Sequence, residues 1–191
     1  MFLTIIHFTD DFSATVYGTP MLDRTNRFYF VPLASYRRSS NLVTLYSGSW
    51  NGSTVTGNIP LSGLTITAPL IIHFEVEASS DGSTLHLSRG DFRGDGVVPW
   101  AADIAIAVDQ GGGFAPDPNS AEILANVNTG KLEYAPAVST DGLKLFFTRF
   151  NPRANSARTY RSVRPNANAI FGIPQPVSAI TGFVEGPAFS G

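Results

Sequence analysis

The sequence predicts an all-β chain made of about three repeated units of four short antiparallel strands, followed by the start of a fourth. Three observations predict it. The chain repeats itself, and each copy carries the same turn chemistry. Its 191 residues are 43% apolar and only 15% charged, with 18 Gly, 13 Pro and 14 Phe, a balance that suits many strands and tight turns. No segment has the period of an amphipathic helix longer than about one turn, Ser120 to Val127 being the sole candidate.

The repeat is legible residue by residue. Phe74–Arg89, FEVEASSDGSTLHLSR, sets over Tyr134–Arg149, YAPAVSTDGLKLFFTR, at an offset of 60 without a gap. Ser79 meets Ser139, Asp81 meets Asp141, Gly82 meets Gly142, Leu85 meets Leu145, Leu87 meets Phe147 and Arg89 meets Arg149. Pro136-Ala-Val-Ser139 recurs as Pro187-Ala-Phe-Ser190. A divergent copy runs from Thr19-Pro20 to Asp23, with Thr25-Asn26 where the others carry Asp-Gly. The second half of each unit leads through a Gly or Asn cluster to an aromatic, Trp50, Phe114 or Phe171, and then to a proline-containing stretch.

Each element follows from this pattern. Asp-Gly between two apolar runs is a hairpin signal, because Gly tolerates positive φ. The Ser two residues before the Asp bonds the turn backbone. Pro136 and Pro187 fall near the start of a first strand, where a missing N–H is tolerated. Four strands in units of about 40–60 residues is the pattern of a propeller blade. The predicted blades span about 17–64, 73–127 and 133–182, with the next beginning at 183–191, all within one partial domain over 1–191.

At ASSDGSTLHLSR, LEYAPAVSTDGLKLFFTR and FGIPQPVSAITGFVEGPAFSG the chain resembles the WD40-like β-propeller repeats of the TolB-like, PD40 type. The resemblance covers about 70–191 well and 17–64 weakly. It implies a ring of six to eight blades and a bacterial extracytoplasmic, periplasmic or extracellular setting. Three blades would then be part of a longer propeller, or a half ring completed by a second copy as a homodimer. The resemblance is specific for fold and poor for function.

Composition excludes several chemistries. There is no cysteine, so disulfides, thiolate metal sites and a cysteine nucleophile are excluded. The net charge of −2 gives no global attraction to nucleic acid. No apolar stretch approaches the roughly 18 residues of a membrane-spanning helix, and the N-terminus lacks the basic and apolar regions of a signal peptide. His7, His73 and His86 have no metal-ligand spacing, and neither HExxH nor GxSxG occurs. No cofactor, metal or catalytic residue is therefore expected.

Blade geometry puts the loops between second and third strands on one face, opposite the S-x-D-G turns. These loops, 31–40, 90–102 and 150–157, are the long ones, so that face is the expected binding face. Its candidate residues are Arg89, Asp91, Arg93, Asp95, Trp100, Arg149 and Arg153. His73, Glu133 and Glu185 precede the inner strands at equivalent places and form a candidate ring for a cation or basic ligand. The plainer expectation is that such carboxylates accept backbone N–H groups of blade connections. Asp91, Asp95 and Asp103 carry Ca²⁺-type oxygens without EF-hand spacing, which reads as a solvated acidic loop. The basic run Arg149, Arg153, Arg158, Arg161 and Arg164 reads as a solvated strand rather than a nucleic-acid surface. The expected function is a non-catalytic binding scaffold for a protein or glycan-like ligand. The alternatives are the propeller part of a larger peptidase or glycosidase, and a purely structural repeat.

Overall fold

The computed structural model describes residues 4–7, 13–32, 45–68, 70–92, 99–181 and 186–187. Within them the chain is built of β-strands. The first unit holds β1 (Thr4–His7), β2 (Ser13–Leu22), β3 (Arg27–Pro32), β4 (Tyr46–Trp50) and β5 (Val55–Pro60). The second holds β6 (Ile71–Ala78), β7 (Thr84–Asp91), β8 (Ala101–Asp109) and β9 (Phe114–Pro116). A short helix, α1 (Ser120–Ile123), leads to the third: β10 (Leu132–Val138), β11 (Lys144–Asn151), β12 (Ser156–Val163) and β13 (Gln175–Pro176).

Each unit is an antiparallel meander, β2-β3-β4-β5, β6-β7-β8-β9 and β10-β11-β12-β13, with β1 added beside β2. Neighbouring units touch through single parallel bridges, Thr19 with Glu75 and Leu132 with Ala102. Four-stranded antiparallel meanders that meet through so few bridges, β2 with β6 and β10 with β8, are propeller blades. The helical turn expected at Ser120 to Val127 is α1 with the turns that follow it.

Strand alternation sends opposite faces of each blade to different neighbours. On β7, Leu85 and Leu87 join Tyr29, Val31 and Leu45 of the first blade in one core. His86 and Ser88 point the other way, toward the third blade. On β8, Ile104 and Ile106 pack with Leu145, Phe147 and Phe171 in a second core, closed by Ile123, Leu124 and Val127 around α1. Fully burying each such side chain contributes about 1.5–3 kcal/mol. The blades are therefore held together by two apolar seams.

The three turns after the inner strands share one conformation. Ser79 and Ser139 accept at Oγ from the N–H of Thr84 and Lys144 and donate to Asp81 and Asp141. Gly82 and Gly142 take φ of 71° and 70°. In the divergent copy Asn26 keeps the same left-handed conformation, φ 62°. Asparagine is among the few non-glycine residues that visit it readily. The donor and acceptor are exchanged there: Thr25 donates its hydroxyl to Asp23 Oδ1 at 2.7 Å. Asp23 also accepts the N–H groups of Thr25 and Arg27 and the hydroxyl of buried Tyr29. The acid has moved to the serine position, and the turn has survived.

Candidate functional site

The inner strands β2, β6 and β10 run side by side, and their C-terminal halves converge with the three turns. Together they enclose a cavity of about 380 Å³ at the turn-bearing end of the channel. Its chemistry comes from Arg24, Glu75, Glu77, Ser80 and Thr140, with Pro136 as apolar wall.

The strands are registered by a latch that repeats. Ala135 has φ of 52°, strained for a residue with a Cβ, and sits at a bulge in β10. Its N–H donates to Glu75 Oε2 at 2.7 Å and to Ser88 Oγ at 3.0 Å. Ser88 also donates to Glu75 Oε2 at 2.9 Å. One blade on, Gly186 occupies the matching place with φ of 69° and donates its N–H to Thr148 Oγ1 at 3.3 Å. A hydroxyl on the second strand thus holds the next blade's inner strand, and Glu75 reinforces this at one seam.

Glu77 lies one pleat further along β6. Burial pushes its carboxyl up to about 7, against a backbone hydrogen bond from Val138 that favours the anion. It therefore changes charge near neutral pH. At the rim Arg24 donates to Thr140 Oγ1 at 3.3 Å, and Ser80 donates to the Thr140 carbonyl at 3.0 Å, lacing the turns together. Hydrogen bonds from Ser79 and Ser83 hold Asp81 down at about 2, and Ser139 with the Leu143 N–H lowers Asp141. Both stay ionised at neutral pH. Neither lines the cavity itself, whose charged groups are Asp23, Glu75, Glu77 and Arg24.

The residues expected from the sequence lie toward the opposite end of the blades. Glu133 is fully buried and accepts from Thr129 N, Thr129 Oγ1 and Arg149 Nε, the last at 2.6 Å. Arg149 also donates to the Val127 carbonyl and lies over the rings of Tyr160 and Phe147. These contacts consume both groups in holding the blade connection. His73 stands opposite Arg89 as Glu133 stands opposite Arg149. It is buried, with Nδ1 lacking a partner, and burial followed by the charge of Arg89 pushes it down to about 4. Asp103, across β7–β8 from Arg89, is raised by burial and by Glu133, with Arg89 opposing.

Arg89 and Arg153 are exposed, the latter in the turn Pro152–Ala154. Asp91 ends β7, and its carbonyl accepts from Trp100 N at 2.6 Å. The Trp100 side chain is 81% exposed. Arg93, Asp95 and Glu185 lie outside the described residues, as do most of the first long loop and the middle of the second. Ser79, Asp81, Gly82, Ser139, Asp141 and Gly142 form the turns as the repeat requires. Among the described residues no group of three or more His, Asp or Glu is placed to hold a metal ion.

Sequence reading missed Glu75, Glu77 and Arg24. A signal existed: at the 60-residue offset Glu75 meets Ala135 and Glu77 meets Ala137, so both are acids where the sister blade has alanine.

No family model matches the chain, and no curated protein matches it. Among solved structures, the crystal structure of the Niastella koreensis GH74 enzyme is similar at 14% identity and a TM-score of 0.47. The match covers 85% of this chain and 22% of that one, so the chain spans about a fifth of the enzyme's length.

Proposed function

We propose that the chain is a non-catalytic binding segment of a β-propeller, and that its channel cavity takes a basic group, such as a lysine or arginine side chain of a protein partner. The observation that carries this reading is Glu77, a half-buried carboxyl in a cavity whose lining also includes the acids Asp23 and Glu75. An ammonium or guanidinium entering there meets carboxylate on several sides and favours the charged form of Glu77. Glu75 is committed to Ala135 and Ser88, which argues against a paired-carboxylate hydrolysis. The TolB-like resemblance supports an extracytoplasmic setting.

Trp100 supports a second reading. A tryptophan 81% exposed at the base of a long loop is a stacking surface for a sugar ring or a partner's apolar side chain. The two readings separate in one experiment, calorimetric titration of the chain with trilysine. On the channel reading, binding tightens as pH rises through about 7, Glu77→Gln removes that dependence, and Trp100→Ala leaves it intact. Equal affinity for wild type and Glu77→Gln at pH values on both sides of 7 would sink it.

A further inference from the structure

The seam between the second and third blades contains a second cavity, of about 400 Å³, away from the channel. His86 and Arg164 line it, with Thr84, Asp117, Glu122 and Asn168. His86 is only 2% exposed, and neither ring nitrogen has a hydrogen-bond partner. A buried imidazole lacking partners for both nitrogens is costly and calls for an explanation. Its counterpart 60 residues on is Phe146, so the blade geometry itself does not require a polar group there.

Arg164 is held as a fork. Its Nε donates to the Gly142 carbonyl at 2.9 Å, and its guanidinium carbon lies 4.4 Å from the centre of the Phe171 ring. Among the described residues its two terminal nitrogens have no hydrogen-bond partner. A stacked guanidinium with a free fork is preorganised for two parallel bonds to a carboxylate. Burial lowers Arg164 from its ordinary range, with Asp117 opposing, and it remains a cation. Burial, with the charge of Arg164, holds His86 at about 4, so at neutral pH the ring offers one donor and one acceptor. The carboxylates of Asp117 and Glu122 oppose a multiply charged anion such as phosphate.

We infer that this seam is a binding site for a small hydroxylated carboxylate, with the carboxylate on the Arg164 fork and a hydroxyl at His86. A hydroxyl both donates and accepts, so it can partner whichever imidazole nitrogen it reaches. A free 2-hydroxy acid and a uronic acid share this chemistry, and the cavity is within the range usual for small-molecule sites.

The test is titration of the 191-residue chain with lactate, glucuronate and inorganic phosphate, following the His86 ring resonances by NMR and the affinity by calorimetry. The expected result is a saturable shift of the His86 resonances with lactate or glucuronate, the tighter ligand identifying the source. Phosphate should bind more weakly. Arg164→Lys, which keeps the charge over Phe171 but loses the fork, should weaken binding by about tenfold or more. His86→Phe, which installs the sister blade's residue, should weaken it while preserving the fold. Absence of a saturable shift with both carboxylates, phosphate binding as tightly as either, or unchanged affinity in both variants would overturn the proposal. Trilysine binding in the channel involves none of these residues, so the two sites succeed or fail separately.

Discussion

The second and third blades have the same strands and turns, yet they differ at four inward-facing positions that carry titratable groups. Leu85 and Leu145, Leu87 and Phe147, Ser88 and Thr148, and the two S-x-D-G turns hold matching places. Against this frame the second blade carries His73, Glu75, Glu77 and His86 where the third has Glu133, Ala135, Ala137 and Phe146. Residues that build a blade recur with it. Residues that depart from the repeat, once the packing no longer explains them, mark where chemistry has been added.

The largest expected effect tests the outer pair of positions. Glu133 is buried with a full set of donors, so Glu133→Ala strands the Arg149 guanidinium and should cost about 3–5 kcal/mol in urea unfolding. His73, though equivalent by register, holds a backbone hydrogen bond to Leu64 and no close ion pair. His73→Leu should cost less than about 1.5 kcal/mol at pH 7. Similar costs at the two positions would mean that register, not the ion pair, fixes the blade connection.

Acid should act chiefly on the second blade. Its two buried histidines are held at about 4, below the ordinary 6.5. The folded protein then binds fewer protons than the unfolded chain between those values. Their contribution is complete above pH 6.5 and is lost as pH falls toward 4, by up to ~2–3 kcal/mol each. His86→Phe, copying Phe146, should remove one share, read as a smaller drop in the urea midpoint between neutral pH and the acid end of that window.

Glu77 works in the opposite direction. Its folded value of about 7 lies above the ordinary 4.5, so it favours folding fully below 4.5, and that contribution fades as pH rises through 7. Because the group is partly solvated, Glu77→Gln should raise stability at alkaline pH by only ~1–2 kcal/mol, with little change in acid. A gain that persists in acid would show that packing, rather than charge, is the cause.

The blade was legible because its signals are local. Asp-Gly spacing and alternation act within a few residues, and a gapless offset multiplies them; Pro136, expected near the start of its strand, instead lies at the bulge toward the end of β10. The latch through Ala135, Ser88 and Glu75 was not legible, since it joins residues 47 and 60 positions apart that meet only when blades pack. Charge alone does not separate framework from candidate site for the same reason. Glu133 and Arg149 attract notice as charges, but a buried ion pair satisfied by Thr129 and Val127 is framework. Arg164 looks like one more arginine in a solvated basic run. Its role emerges only when Phe171 lies beneath it and His86 opposite it, from two different blades.

The smallest effect concerns the turns. Gly82 adopts φ of 71°, and a Cβ there would meet nothing nearer than Asp23 Oδ2 at 3.5 Å. The cost of Gly82→Ala is thus conformational, about 1–2 kcal/mol, and Gly142→Ala should match it. Asn26 holds the same conformation in the divergent copy, so Asn26→Gly should change stability by no more than a few tenths of a kcal/mol, while Asn26→Ala should cost about 1 kcal/mol. Thermal unfolding of the four variants is the check. If Asn26→Gly were strongly destabilising, the asparagine side chain would carry interactions beyond its tolerance of positive φ. The first turn would then be a different solution to closing the blade, rather than the same turn written with other residues.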